Sequence, residues 1–147
     1  MILAEIGSTS YDIFLLLHVL AVIVGFAPAW LTPFLMRVAA SGDRGAAEAL
    51  QMSTLRISLP ALGLAGILGF GLAGMSDDVY KMSQGWLAAS IVVWLGILAV
   101  IWFVALPGVR AFRAGDDSSR GRVMASTGVV HLALLVMLYL MIFKPGF

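Results

Sequence analysis

Apolar positions dominate this chain in four long runs, with short polar stretches between them. The runs are Ile13 to about Val38, Ile57 to Met75, Trp86 to Leu106 and Ser126 to Phe143. None shows the alternation of a strand or the one-sided stripe of a surface helix; each is apolar around its whole circumference. Each is close to the roughly 20 residues that cross about 30 Å of hydrocarbon as a helix. Backbone amides in lipid must be bonded within their own segment, so the pattern predicts four transmembrane helices (about 13–38, 57–75, 86–106 and 126–143) in one all-α membrane domain spanning 1–147.

Composition supports this reading. Hydrophobic residues make up 61% of the 147 residues and charged residues only 12%, against about 45–50% and about 25% in soluble domains. So few charges cannot cover the surface of a water-soluble fold. A formal net charge of +1 provides no basic footprint for nucleic acid. The chain has no cysteine, which removes disulfides, iron–sulfur clusters and thiolate zinc sites. The start of the chain carries Glu5 and Asp12 and no basic residue, so the first run is expected to be a retained helix rather than a cleaved signal.

Charge placement predicts an orientation. Arg37, Arg44, Arg56, Arg110, Arg113, Arg120 and Arg122 gather in or beside the connections 39–56 and 107–124, whereas only Lys81 and Lys144 lie at the other ends. Positive residues in short loops mark the cytoplasmic side, so both termini are expected on the non-cytoplasmic side of a bacterial inner membrane. Tyr11, Tyr80, Trp86 and Tyr139 near one boundary, with Trp102 near the other, suit an interfacial aromatic belt. Gly45–Met52 could form a short amphipathic turn, and Asp116 or Asp117 a turn or cap.

Within the spans, Ala61, Ala65, Gly69 and Ala73 recur every fourth residue. Such a stripe lets another helix approach closely, or leaves a groove for a flat cofactor or partner helix. Pro28 and Pro33 predict a kink in the first helix, while Pro60 falls in a first turn, where proline is tolerated. The eight methionines are scattered, and read as gap fillers rather than copper ligands.

Candidate chemistry narrows to His18 and His131, the two histidines, both inside spans. An ionisable side chain in a membrane helix is a functional candidate, and imidazole ligates haem iron. The alternative is a neutral ring bonded to a neighbouring hydroxyl or carbonyl. His18 lies roughly 9 Å and His131 roughly 18 Å below the outer surface, an offset that disfavours one haem held between them. Thr32, Ser90, Ser126 and Thr127 are expected to bond back to their own helices. The spans hold no carboxylate for a proton relay, so no catalytic residue can be assigned.

The run LLHVLAVIVGFAPAWLTPFLMR, with His18, Ala21–Ile23, Pro33 and Leu35, resembles the opening helix of the HemJ-type protoporphyrinogen oxidases. Trp86-Leu87 and Lys144-Pro145 also resemble that family, whose broader relatives include the CopD membrane domain and uncharacterised bacterial membrane proteins. The resemblance implies a four-helix fold and a haem b group whose metal ligand is His18. A basic residue belongs to that pattern shortly after the Trp-Leu pair, and Ser90 stands there instead. The sequence therefore reads as a divergent relative rather than the oxidase. Two functions are carried forward: a haem b-associated redox or accessory protein with His18 and His131 as cofactor-binding candidates, and a non-catalytic subunit that docks to a membrane partner or a second copy through its glycine-rich second helix.

Overall fold

The computed structural model describes residues 6–146; Glu5 of the expected acidic start lies outside them. Among the described residues there are four long helices and no strand: α1 (Thr9–Ala40), α2 (Arg44–Gly74), α3 (Gly85–Arg113) and α4 (Ser119–Phe143). Each is long and apolar enough to cross a membrane, and only 22–28% of its most apolar window is buried by the rest of the chain. The outward faces carry Val92, Phe103, Ile142 and Phe143, each 68–72% exposed. A soluble monomer rarely leaves so large a continuous apolar surface in water.

The helices extend beyond the sequence-predicted spans, chiefly at the arginine-rich end. The connection expected over 39–56 shrinks to Ser41, Gly42 and Asp43. The Ser41 N–H donates to Arg37 O, Gly42 takes a φ of 108°, and the Asp43 carboxylate accepts from Gly45 N at 2.8 Å. This caps α2 at once. Arg44–Ser53 is not an isolated turn but the first part of α2, burying Ala46, Ala47 and Leu50 against Ala39, Met36 and Val109.

The third helix likewise runs past Pro107 to Arg113. At Gly115, φ is 100° and Asp116 N–H donates to Ala111 O, closing the helix with a left-handed glycine. Asp116 then accepts from Ser118 N at 3.1 Å, forming the expected turn before α4.

Two prolines explain a feature shared by α2 and α3. Thr54–Ser58 and Ile101–Ala105 are π-helical turns, and each ends two residues before a proline, Pro60 or Pro107. Proline has no N–H and clashes with the carbonyl four residues back. Widening the turn before it lets Leu59 N–H reach Thr54 O and Leu106 N–H reach Ile101 O. Neither proline ends its helix. Pro28 and Pro33 also lie inside α1, which continues through both.

The helices alternate in direction, each packing on the next, and α4 closes against α1. The core forms three layers. Met36, Leu50, Val109 and Val123 fill the arginine-rich end; Phe26, Leu62, Ile97, Ile101 and Val130 the middle; Ala73, Trp86, Leu87 and Leu140 the end near the termini. At this last end, Lys144 Nζ donates to Tyr80 Oη at 2.8 Å and lies 4.6 Å from that ring's centroid.

Candidate functional site

The site with the most definite chemistry lies where α1 meets α2. His18 Nδ1 is 2.8 Å from Ala65 O. A carbonyl can only accept, so the ring proton sits on Nδ1, and in the neutral imidazole Nε2 is left as a bare lone pair. His18 is partly buried, and Nε2 has no hydrogen bond among the described residues and is not sealed in the interior. Metal-ligating histidines commonly have this arrangement, one nitrogen oriented by a carbonyl and the other presented outward.

Gly69 explains how the ring gets there. A Cβ at Gly69 would lie 3.2 Å from His18 Cε1 and 3.5 Å from Nδ1. Gly69 is also four residues beyond Ala65, so its own N–H points to the carbonyl that His18 uses. The missing side chain opens that carbonyl to a second donor from the flank.

The same device recurs one helix face away. Trp94 Nε1 donates to Leu62 O at 2.9 Å, and Gly66, four residues on, lies beneath the indole. A third ring, Phe14, faces Gly71, where a Cβ would lie 3.4 Å from Phe14 Cε1. Gly66, Gly69 and Gly71 of α2 are therefore occupied by rings of this same chain, two of which also bond the α2 backbone. Of the small-residue stripe, Ala65 and Ala73 are buried, Gly69 lies under His18, and Ala61 lines an open groove with Leu17, Leu20, Ala21, Val24, Leu64 and Leu68.

A hydroxyl adds a further link between α1 and α2: Ser58 Oγ donates to Gly25 O at 2.5 Å. Gly25 packs so closely that a Cβ there would lie 2.7 Å from Leu62 Cγ. The other intraspan hydroxyls bond back to their own helices. Thr32 reaches Pro28 O, Ser90 reaches Trp86 O, and Ser126 and Thr127 both reach Val123 O, at 2.7–2.9 Å.

His131 is elsewhere. Its ring stacks on Trp30 with centroids 4.3 Å apart, and its Nε2 is buried with no hydrogen-bond partner among the described residues. Trp30 is twelve residues beyond His18 along α1, roughly 18 Å of helix rise. Two axial nitrogens on one metal, each about 2 Å from it, cannot span that separation. The fold does not bring the two histidines together. Among the described residues there is no group of three or more histidines or carboxylates placed to hold a metal ion.

His18 Nε2 is the one free ring nitrogen here that a haem iron would need, and His131 lies too far along the bundle to join it. The sequence carried no sign of the Trp94 and Ser58 contacts beyond the glycine spacing. Gly66 lies four residues after Leu62, as Gly69 does after Ala65, but it falls off the four-residue stripe. The chain matches no family model, no curated protein and no solved structure.

Proposed function

We propose that the chain is a multi-pass protein of the bacterial cytoplasmic membrane, with the arginine-rich end in the cytoplasm and both termini outside. We further propose that it is a haem b-associated redox or accessory protein in which His18 would hold the haem iron. Four long apolar helices with apolar outer faces support insertion, and the arginine distribution supports the orientation. The observation that carries the haem reading is the His18 ring, with Nδ1–H held by Ala65 O and Nε2 unbonded. The resemblance of the first helix to HemJ-type proteins points to the same residue.

In this reading Ala65 O fixes the tautomer and Gly69 gives the ring its place, while a haem iron would supply one-electron chemistry. His131 is too far along the bundle to share that iron. It would touch a cofactor only as a separate contact beside Trp30.

A second reading is a non-catalytic membrane subunit. Its support is that Trp94, Ser58, Ser90, Ser126, Thr127 and Thr32 all bond the bundle's own backbone. Such a protein would dock to a membrane partner or a second copy along α2, at the open groove around Ala61. A reduced-minus-oxidised visible spectrum separates the two. Protein purified in mild detergent, from cells supplied with haem precursor, should show a b-type α band that is lost in His18→Ala and kept in His131→Ala. A colourless, normally folded protein that co-purifies with a partner overturns the haem reading in favour of the second.

A further inference from the structure

Two stacked rings at the seam between α1 and α4 carry polar hydrogens that the fold leaves unused. The imidazole of His131 and the indole of Trp30 lie with centroids 4.3 Å apart and planes tilted by 32°. His131 is the central residue of α4 (Ser119–Phe143), roughly 18 Å from either end of that helix. Val130 beside it belongs to the middle core layer with Phe26 and Ile97. In a bilayer this is the depth at which there is no water to bond a polar group.

Neither nitrogen of His131, nor Trp30 Nε1, has a hydrogen-bond partner among the described residues. By contrast, His18, Trp94 and the intraspan hydroxyls all bond backbone carbonyls. Trp86 Nε1 is also unpartnered, but that indole is sealed in the layer near the termini. The seam is different because it is open. His131 Nε2 is sealed while Nδ1 is not, and Trp30 is 57% exposed. A neutral imidazole carries one proton. On Nε2 that proton would be shut in without an acceptor, the costlier arrangement; on Nδ1 it faces the open side. The seam therefore offers an N–H donor and a bare aromatic face at mid-membrane depth, and holds no acceptor for the donor.

Whatever satisfies His131 has to bring an acceptor through hydrocarbon. A second copy of this chain is poorly equipped to do so, because Thr32, Ser58, Ser90, Ser126 and Thr127 are all buried and bonded to backbone. A quinone meets each requirement: it dissolves in the bilayer, its flat ring can lie against an exposed indole, and its carbonyl oxygens accept from N–H donors. We propose that the Trp30–His131 seam is a binding site for a membrane quinone, with a quinone carbonyl accepting from His131 Nδ1–H and the quinone ring against Trp30. Such a site requires membrane insertion of the bundle and is independent of haem at His18.

The test uses the full-length protein in lipid nanodiscs, labelled with 15N-histidine and assigned through His131→Gln. Decylubiquinone is the probe; decylbenzene, with the same tail and a flat ring but no acceptor, is the reference. Decylubiquinone should shift the His131 ring nitrogens saturably, with the proton on Nδ1, and decylbenzene should not. Trp30→Leu removes the aromatic face and should raise the midpoint of that shift about fivefold or more. Trp102→Phe, at an exposed tryptophan on α3, should leave the midpoint where it is. The absence of a saturable shift overturns the proposal, as does an equal shift with decylbenzene, which would be simple partition into the bilayer. An Nδ1–H already bonded without quinone, and increasingly so at higher protein-to-lipid ratio, also overturns it, since a second copy would then supply the acceptor. Failure of the underlying reading looks different: the protein would be released from membranes by alkaline carbonate.

Discussion

Gly66→Ala puts the account of α2 under the most quantitative strain. A Cβ at this position would lie 2.2 Å from Trp94 Cζ2 and 2.5 Å from Cε2. Ordinary contact begins near 3.4 Å, so the indole must retreat by about 1.2 Å, an overpacking that typically costs about 1–3 kcal/mol. The same retreat carries Nε1 from 2.9 Å to beyond bonding range of Leu62 O, a loss of about 0.6 kcal/mol for a typical interhelical bond in a membrane protein. Alanine also favours helix over glycine by about 1 kcal/mol, which would mask part of the effect. Gly63→Ala receives the same propensity gain with open space around its Cβ, so it is the proper reference. Gly66→Ala should be less stable than Gly63→Ala by about 1.6–3.6 kcal/mol. The assay is reversible unfolding in mixed micelles with rising denaturing detergent, followed by helical circular dichroism, with tryptophan emission reporting on the indole. If the two variants unfold at the same detergent fraction, Trp94 does not pack on Gly66 and the ring-on-glycine description of α2 fails.

The α1–α2 contact carries three further predictions. In 15N-detected spectra of histidine-labelled protein, neutral His18 should carry its proton on Nδ1, the form that donates to Ala65 O; a proton on Nε2 would remove the orienting bond and the ligand role together. Gly25→Ala, whose Cβ would meet Leu62 at 2.7 Å, should destabilise by about 1–3 kcal/mol, whereas Ser58→Ala should cost about 0.6–1.7 kcal/mol for its bond to Gly25 O. A Gly25→Ala protein as stable as wild type in the same micelle titration would refute the close approach of α1 and α2.

The four apolar runs were legible because lipid-facing and core-facing positions are both hydrophobic, so no periodicity has to be read. The helix ends were not. Arg44–Ser53 and Leu106–Arg113 bury only one face, against each other and Met36, and their polar faces read as connections. Pro107 looked like a stop because a proline normally disrupts the preceding turn; the π-turn before it, invisible in the residue pattern, lets the helix continue. The two histidines stood out on chemistry alone; residue counting separated them along the bundle by about 9 Å, only about half the rise between His18 and Trp30, the ring on which His131 stacks. What occupies the glycines did not. A small-residue stripe says that something approaches, but His18, Trp94 and Phe14 as the occupants depend on how three helices rotate about their axes. Arg56 was assigned to a loop for the same reason: a charged residue inside a helix looks like its end until the packing of the preceding ten residues is seen.

The proposed role of His18 requires that the four helices span the membrane, and the proposed setting puts the arginine-rich end inside. Site-directed labelling tests this directly, because the chain contains no cysteine and any single introduced thiol reports alone. Ser83 and Asp117 are both exposed and lie at opposite ends of the bundle, between α2 and α3 and between α3 and α4. With a membrane-impermeant maleimide on intact spheroplasts, Ser83→Cys should label at once and Asp117→Cys only after the membrane is permeabilised. Labelling of both in intact cells, or of Asp117→Cys alone, would contradict the proposed orientation.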